Sequence, residues 1–358
     1  TSSDSLQLTL TLTEEDRVKA LEISNTPGGD GTGAVLLETQ VGAYFDIGEN
    51  ANDHGQELTV VETADTVRPE LVQAWLDLNN GTLRAFFSET IDTTPASDKV
   101  VPASFRLMDV GGDDDALLLS GASVREYDSV VVTLGMTEIQ RVQCIERSNT
   151  PGGDGTPLHL RLQYGAVFDI GTNPSVPTYQ TGGDLLISET ADTTPPTLVS
   201  VRLELGMGEI VFEFSETIDS TPNTQVNGTD VVFRNADNEH EILRLIGTEI
   251  HAQDTVQVTM TMNEARRVSC IENSGQPGGD GAAMFMYATS EFVVDIAGVG
   301  LTPIETGFVL EEIPDTILPS VLYGEINFDS GIMILIQSET VDSTPSSSVV
   351  LDNYAYLL

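Results

Sequence analysis

Three sets of carboxylates recur at matched positions along this chain of 358 residues. The first set pairs Glu62 with Asp65, Glu189 with Asp192, and Glu312 with Asp315. In the second, Glu89, Glu216 and Glu339 are each followed three residues later by Asp92, Asp219 or Asp342. Asp46, Asp169 and Asp295 make the third. A calcium ion takes about six to eight oxygen ligands, so a few such side chains with loop carbonyls can hold one and stiffen a joint. Asp65, Asp192, Asp315, Glu89, Glu216, Glu339, Asp46, Asp169 and Asp295 are therefore the candidate ligands for Ca2+. The competing reading makes them solvated surface acids and turn caps, and no dense Asp-x-Asp-x-Asp-Gly loop is present.

Whether these acids meet depends on the elements that carry them, and those elements are repeated. Asp192-Thr-Thr-Pro-Pro leads through an alternating run to Phe214-Ser-Glu-Thr-Ile-Asp219; the same frame runs from Asp65 to Phe87-Ser-Glu-Thr-Ile-Asp92 and from Asp315 to Gln337-Ser-Glu-Thr-Val-Asp342. Pro27-Gly-Gly-Asp30-Gly returns at Pro151 and Pro277, spaced 124 and 126 residues apart. A unit of about 125 residues is the size of a domain with its own core, not of a solenoid repeat. In the third copy Val199, Val201, Leu203 and Leu205 alternate with polar residues, and Gly206-Met-Gly208 reverses the chain into Ile210, Phe212 and Phe214, which predicts a hairpin. Further strands are expected at Val231–Phe233, Ile242–Ile246, Thr255–Met262, Ala283–Tyr287 and Phe292–Ile296, giving seven per unit and a β-sandwich. Asn263 caps one short helix whose apolar positions are Ala265, Val268 and Ile271. The stretch Asp192 to Pro196 reads as a stiff, extended linker.

The frame resembles the bacterial-type immunoglobulin-like tandem repeats of S-layer and very large microbial cell-surface or filament proteins. The residues that carry the likeness are Asp-Thr-Thr-Pro-Pro, Phe-Ser-Glu-Thr-Ile-Asp, the strand, helix and loop from Thr255 to Gly281, and the closing Val-Val-Asp295-Ile-Ala-Gly. Asp46 and Asp169 depart from that closing motif, being followed by Ile-Gly. The resemblance implies an all-β fold of tandem immunoglobulin-like β-sandwich domains, each with one short helix. It also implies spacers or filament subunits, sometimes bridged by calcium. The expected division is 1–63 as the later half of a domain, 64–190 and 191–314 as complete domains, and 315–358 as the earlier half of another.

Composition limits the partners. With 56 acidic side chains against 15 basic ones the net charge is −41. A phosphate backbone would be repelled, so nucleic acid is excluded and cations are favoured. No apolar run is long enough for a bilayer, so membrane insertion is not expected. Cys144 and Cys270 occupy one repeat position where the first copy has Ala20, which marks a small buried site with a free thiol.

Other motifs admit milder readings. Pro-Gly-Gly-Asp-Gly lacks the Lys-Ser/Thr ending of a phosphate loop and is a structural turn, and Gly111-Gly-Asp-Asp-Asp115 reads as a solvated hairpin end. Phe45-Asp46-Ile-Gly48 and Phe168-Asp169-Ile-Gly171 have one aspartate per domain, not the pair an aspartic protease needs. His54, His159, His240 and His251 fall at unrelated repeat positions, so no catalytic or metal constellation emerges and an enzyme is not expected. Asn80-Gly-Thr82 and Asn227-Gly-Thr229 are N-glycosylation acceptors if exported, and Thr93-Thr-Pro95, Ser220-Thr-Pro222 and Ser343-Thr-Pro345 are candidate O-glycan positions. Trp75 is an outward residue for an interface or a sugar.

Repeated whole domains without a repeated reactive constellation multiply length and surface. The reading is a non-catalytic extracellular or cell-surface structural protein, a segment of a filament or appendage, with an adhesin stalk or ligand-binding module as the alternative. The absence of a signal peptide at Thr1 suggests a mature or excised segment. Asp4 matches Asp128 and Ser338 matches Ser88, so the two end pieces together lack only the positions of Asp109 to Val124. Two partners fit: copies of the chain joined head to tail as a homopolymer, or adjoining repeats of one longer polypeptide.

Overall fold

The computed structural model describes residues 5–55, 57–109, 116–235, 241–345 and 348–350; the acidic run 111–115 and His240 lie outside them. The chain divides into two units, Thr1–Thr193 and Thr194–Leu358. The fold is all-β, built from sandwiches of a five-stranded and a four-stranded sheet.

In the first unit the alternation of Leu71–Asp77 and Thr82–Ile91 produces an antiparallel hairpin, with Leu83, Ala85 and Phe87 buried on one face. Gly81 turns it at φ +65, a conformation that costs a side-chain-bearing residue dearly, and Gly208 and Gly331 do the same in the two matched hairpins. This hairpin is the centre of a five-stranded sheet ordered Ser188–Thr190, Leu71–Asp77, Thr82–Ile91, Ser129–Gly135, Ser123–Val124. A four-stranded sheet, Leu185–Leu186, His159–Leu162, Phe105–Met108 and Leu117–Leu118, accompanies it. Residues before Leu71 contribute the helix Glu14–Glu22 and a small ladder of Leu36–Leu37 with Leu58–Thr59.

The second unit repeats the plan. Leu198–Glu204 and Glu209–Ile218 form the hairpin, flanked by Thr255–Thr261, Glu249–His251 and, parallel to the first hairpin strand, Glu311–Ile313. The other sheet contains Glu241–Arg244, Val231–Asn235, Met284–Ala288 and Ile304–Val309. Phe212, Phe233, Met260, Met284 and Met286 fill the core, where the Phe212 and Phe292 rings meet edge to face at 5.2 Å. Beyond it, Val321–Asn327 and Ile332–Gln337 form a two-stranded sheet of their own.

Four details depart from the sequence expectation. Among the described residues each sandwich has nine strands instead of seven, because short strands such as Ser188–Thr190, Glu249–His251 and Glu311–Ile313 are added at the sheet edges. Phe292–Ile296 is not a ladder strand: Phe292 and Val293 are core residues, while Val294 and Asp295 make only isolated bridges beside a turn. Val199 is 55% exposed, because a bulge between Leu198 and Ser200 shifts the phase and turns Leu198 toward the core. The helix Glu264–Glu272 buries Arg267 and Cys270, whereas Ala265 is exposed, so its inner face is centred on a charged residue. Cys144 and Cys270 are both buried and free, and burial pushes each thiol up to about 12.

These placements give a paired stability prediction. Phe212→Ala should cost about 3–5 kcal/mol in chemical denaturation, whereas Val199→Ala should cost under about 0.5 kcal/mol. Equal losses at the two positions would overturn the bulged register.

Candidate cation site at the domain joints

Besides the four-residue helices Ala96–Lys99 and Thr178–Thr181, which the expectation of one short helix per domain did not include, each repeat holds one nine-residue helix, and these three begin with the same device. Thr13, Thr137 and Asn263 cap Glu14–Glu22, Glu138–Glu146 and Glu264–Glu272 by accepting from the backbone NH of Asp16, Gln140 and Arg266. A glutamate at the first helical position then faces an arginine three residues on. Arg17 donates through Nε and Nη2 to Glu14 at 2.8 Å each, and Arg141 and Arg267 make the same fork with Glu138 and Glu264. Arg17, Arg141 and Arg267 are spaced 124 and 126 residues apart, so they hold one repeat position.

The other edge of each guanidinium takes the acids of the following segment. Arg17 Nη1 donates to Asp65 Oδ2 at 2.7 Å and Nη2 to Glu89 Oε2 at 3.2 Å. Arg267 contacts Asp315 at 2.6 Å and Glu339 at 3.1 Å, and also donates to the Leu205 carbonyl. Arg141 pairs with the buried Asp192 and donates to the Leu78 carbonyl at 3.1 Å. The helix glutamates close two of these brackets, Glu14 Oε1 accepting from Thr90 NH at 2.8 Å and Glu264 Oε1 from Thr340 NH at 2.7 Å. These charge-assisted bonds hold Glu14 and Glu264 down at about 2 and raise the pKa of Arg17 and Arg267, with the forked partner the largest cause in each case.

Of the predicted ligands, Asp65, Glu89 and Asp169 come together in the first unit, with one carboxylate oxygen of each within 4.8 Å of the others. Asp169 is fully buried, and its oxygens accept from Asn173 NH at 2.7 Å and Asn173 Nδ2 at 3.0 Å. Glu89 is 6% exposed, and its Oε1 is buried without a hydrogen-bond partner. Burial, then the charges of Asp169 and Asp65, outweigh Arg17 and raise Glu89 from 4.5 to about 7. Glu339 Oε1 is also an unpartnered buried oxygen. Three carboxylates, those of Glu14, Asp65 and Glu89, thus share one guanidinium with Asp169 close to two of them, an arrangement able to accept a further positive charge.

Asp46 is exposed and apart from the other predicted ligands, its carboxylate accepting from Asn50 NH at 2.9 Å. Glu216 and Asp295 are buried in the second sandwich, Asp295 accepting from Val299 NH at 2.8 Å. Glu62, Glu189 and Glu312 are clasps on the loops after the helices: Glu189 accepts from Leu158 NH at 2.6 Å and Asn149 NH at 3.0 Å, and the other two repeat the pattern. Asp30, Asp154 and Asp280 close the Pro-Gly-Gly-Asp-Gly turns by accepting from Thr32, Thr156 and Ala282 NH. Asn80 is exposed on its hairpin turn and donates to Asp77 at 3.0 Å, while Asn227 is half-buried and donates to Asp230 at 2.5 Å. Thr93 and Ser220, candidate O-glycan positions, are instead fully buried, with Asp128 and Asp254 accepting from their hydroxyls. Trp75 is half-exposed and leans on Phe86 at 5.1 Å.

Sequence reasoning missed the arginines. The signal was available: Glu-x-x-Arg occurs at the start of all three helical segments of a chain with only 15 basic side chains.

No family model matches the sequence, and no curated protein does. Solved structures similar to the chain include the N-terminal part of the bacterial S-layer protein SbsC, at 10% identity and TM-score 0.22, covering 69% of this chain and 44% of that one. A titin fragment aligns at 10% identity and TM-score 0.24 over 69% of this chain and all of the fragment. Extracellular domains 3–5 of Drosophila OTK align at 11% and 0.23 over 74% and 72%. The chain therefore spans less than half the length of the S-layer structure.

Two measurements probe the joints. Arg141→Met strips the buried Asp192 of its guanidinium and should cost about 3–5 kcal/mol, with Asp192→Asn restoring part of the loss in the double variant; strictly additive losses in urea unfolding would overturn the pairing. The second uses pH. With Glu89 raised from 4.5 to about 7, the folded state keeps a proton that the unfolded chain releases, so its contribution is complete below about 4.5 and is lost as pH rises through about 7. The melting temperature of the chain relative to Glu89→Gln should fall across that window, and a flat difference would overturn the assignment.

Proposed function

We propose that the chain is a non-catalytic structural segment of an extracellular filament or cell-surface appendage, with sandwiches following head to tail and half-domains completed by neighbouring chain segments. One observation carries this reading: the same arginine bracket recurs at one repeat position in all three helices, each time binding the acid of the segment that follows. What the sequence repeats is a joint. Among the described residues no helix is long and apolar enough to cross a membrane. N-linked glycans at Asn80 and Asn227 belong to the same extracellular setting.

Calcium at the joints belongs to this reading as well, with Asp65, Glu89 and Asp169 as its protein ligands. The support is the unpartnered, buried Glu89 Oε1 beside two further carboxylates. The cation would relieve their mutual repulsion, which a guanidinium already shared with Glu14 only partly offsets.

Two experiments test the proposal. Electron microscopy of native material should show filaments or rods with a domain-length repeat; isolated compact particles would overturn the structural reading. Excess chelator at fixed ionic strength should lower the melting temperature by several degrees, since a ligand at 100 times its Kd stabilises the folded state by about 2.7 kcal/mol. Unchanged melting would remove calcium and leave the arginine brackets as the joint.

A further inference from the structure

One outward face of the first unit carries a set of groups that neither the core nor the joint uses. On the hairpin of Leu71–Asp77 and Thr82–Ile91, Trp75 stands directly opposite Arg84, and Asp77 opposite Thr82. These residues alternate with the buried Ala74, Leu76, Leu83 and Ala85, so they share the face turned away from the core. With Asn80 at the turn and Thr190 on the neighbouring parallel strand, they line a groove of about 180 Å³. Trp75 is 45% exposed, and Phe86, its diagonal neighbour across the strands, supports the ring with centroids 5.1 Å apart at 58°. A large apolar ring is thus held in place and left open to solvent.

The polar rim of the groove is ordered in advance. Asn80 Nδ2 donates to Asp77 Oδ2 at 3.0 Å and Asn80 Oδ1 accepts from Thr82 NH at 3.1 Å, which fixes the amide at both ends and leaves its second N–H over. Among the described residues, the Thr82 hydroxyl, the Arg84 guanidinium and the Trp75 indole NH have no protein partner. The matched faces of the other hairpins are built differently. Trp75, Arg84 and Phe86 are replaced by Arg202, Val211 and Glu213 in one copy and by Glu325, Ile334 and Ile336 in the other. Arg202 pairs with Glu204 at 3.2 Å and Glu213 accepts from the Ser200 hydroxyl at 2.9 Å, so that face satisfies itself. The groove is particular to one hairpin and is not a by-product of the repeat.

An aromatic face ringed by hydrogen-bond donors matches a pyranose, whose C–H bonds form an apolar face and whose hydroxyl oxygens accept around its edge. A purely aliphatic ligand would desolvate the donors without pairing them. An anionic ligand would meet the field of a chain with net charge −41. We infer that this groove binds a neutral hexopyranose saccharide, its C–H face on Trp75 and its hydroxyls bonded by Asn80, Thr82 and Arg84. The sugar has two sources with one chemistry: a glycan carried on the Asn80-Gly-Thr82 acceptor itself, or a saccharide offered by another surface. The site lies wholly within the first unit, so the inference does not rest on the filament reading.

Trp75 is the sole tryptophan, so its fluorescence reports this groove alone. The unglycosylated chain is titrated with maltotriose, cellotriose, mannotriose and chitotriose, and at least one should move the emission to shorter wavelength and saturate. For that sugar Arg84→Met should weaken binding about tenfold, the loss expected for a hydrogen bond to a charged donor. Arg202→Met, at the matched position of the next hairpin, should leave it unchanged. By calorimetry Trp75→Ala should lose binding while Trp75→Tyr keeps it, both with the unfolding midpoint of a surface substitution. Native material separates the sources. A glycan found on Asn80 by mass spectrometry, whose enzymatic removal moves the emission to longer wavelength, identifies the attached sugar; an unmodified Asn80 in a native chain that binds the free sugar identifies the other source. No emission change with any of the sugars, affinity indifferent to Arg84→Met or Trp75→Ala, or a response confined to an anionic saccharide such as polygalacturonate would each overturn the assignment.

Discussion

A guanidinium placed between carboxylates that would otherwise repel one another is the interaction on which the joints depend. Arginine suits the place because its planar fork offers two edges. One edge is occupied by the glutamate a single helical turn earlier, which fixes the side chain's direction. The other edge is thereby aimed at Asp65, Asp192 or Asp315. Burial of the centre raises the stakes. Removing one partner strands a desolvated charge, so the bracket specifies where the next segment starts even where its net contribution to stability is modest.

This constraint explains the distribution of charge. A chain with a net charge of −41 loses compactness through self-repulsion unless positive charge is placed where acids converge. Three of its few cations are invested in the joints, and the effect of the acid excess at the first joint is seen at Glu89, whose pKa burial and then the charges of Asp169 and Asp65 raise to about 7. The proposed calcium would take the place of the proton on that carboxyl. Both readings draw on the same electrostatic imbalance.

The repeat, the hairpins and the capped helices were legible because each is written locally. Period-2 alternation at Ile210, Phe212 and Phe214 and the cap at Asn263 need only a few residues of context. Val199 was misread because a bulge changes the phase without changing the composition. The inner face of the helix was partly misread because apolar periodicity cannot anticipate a buried arginine: Ile271 does pack against the core, but Ala265 is exposed and Arg267 and Cys270 are the buried residues. Asp65, Glu89 and Asp169 were legible as acids at domain ends, but not as one cluster from which Asp46 is excluded.

By itself the sequence determined the all-β class, the repeat of about 125 residues, the paired hairpin strands and the free buried cysteines. These follow from hydrophobic period and turn chemistry, which act over short distances, and from the repeat itself. Only the tertiary structure decided which cation the acids face. Arg17 and Asp65 are 48 residues apart, and Arg17 and Glu89 are 72 apart. Their meeting depends on where a helix comes to rest against the strand end of the following sandwich, a matter of three-dimensional packing that no local pattern records.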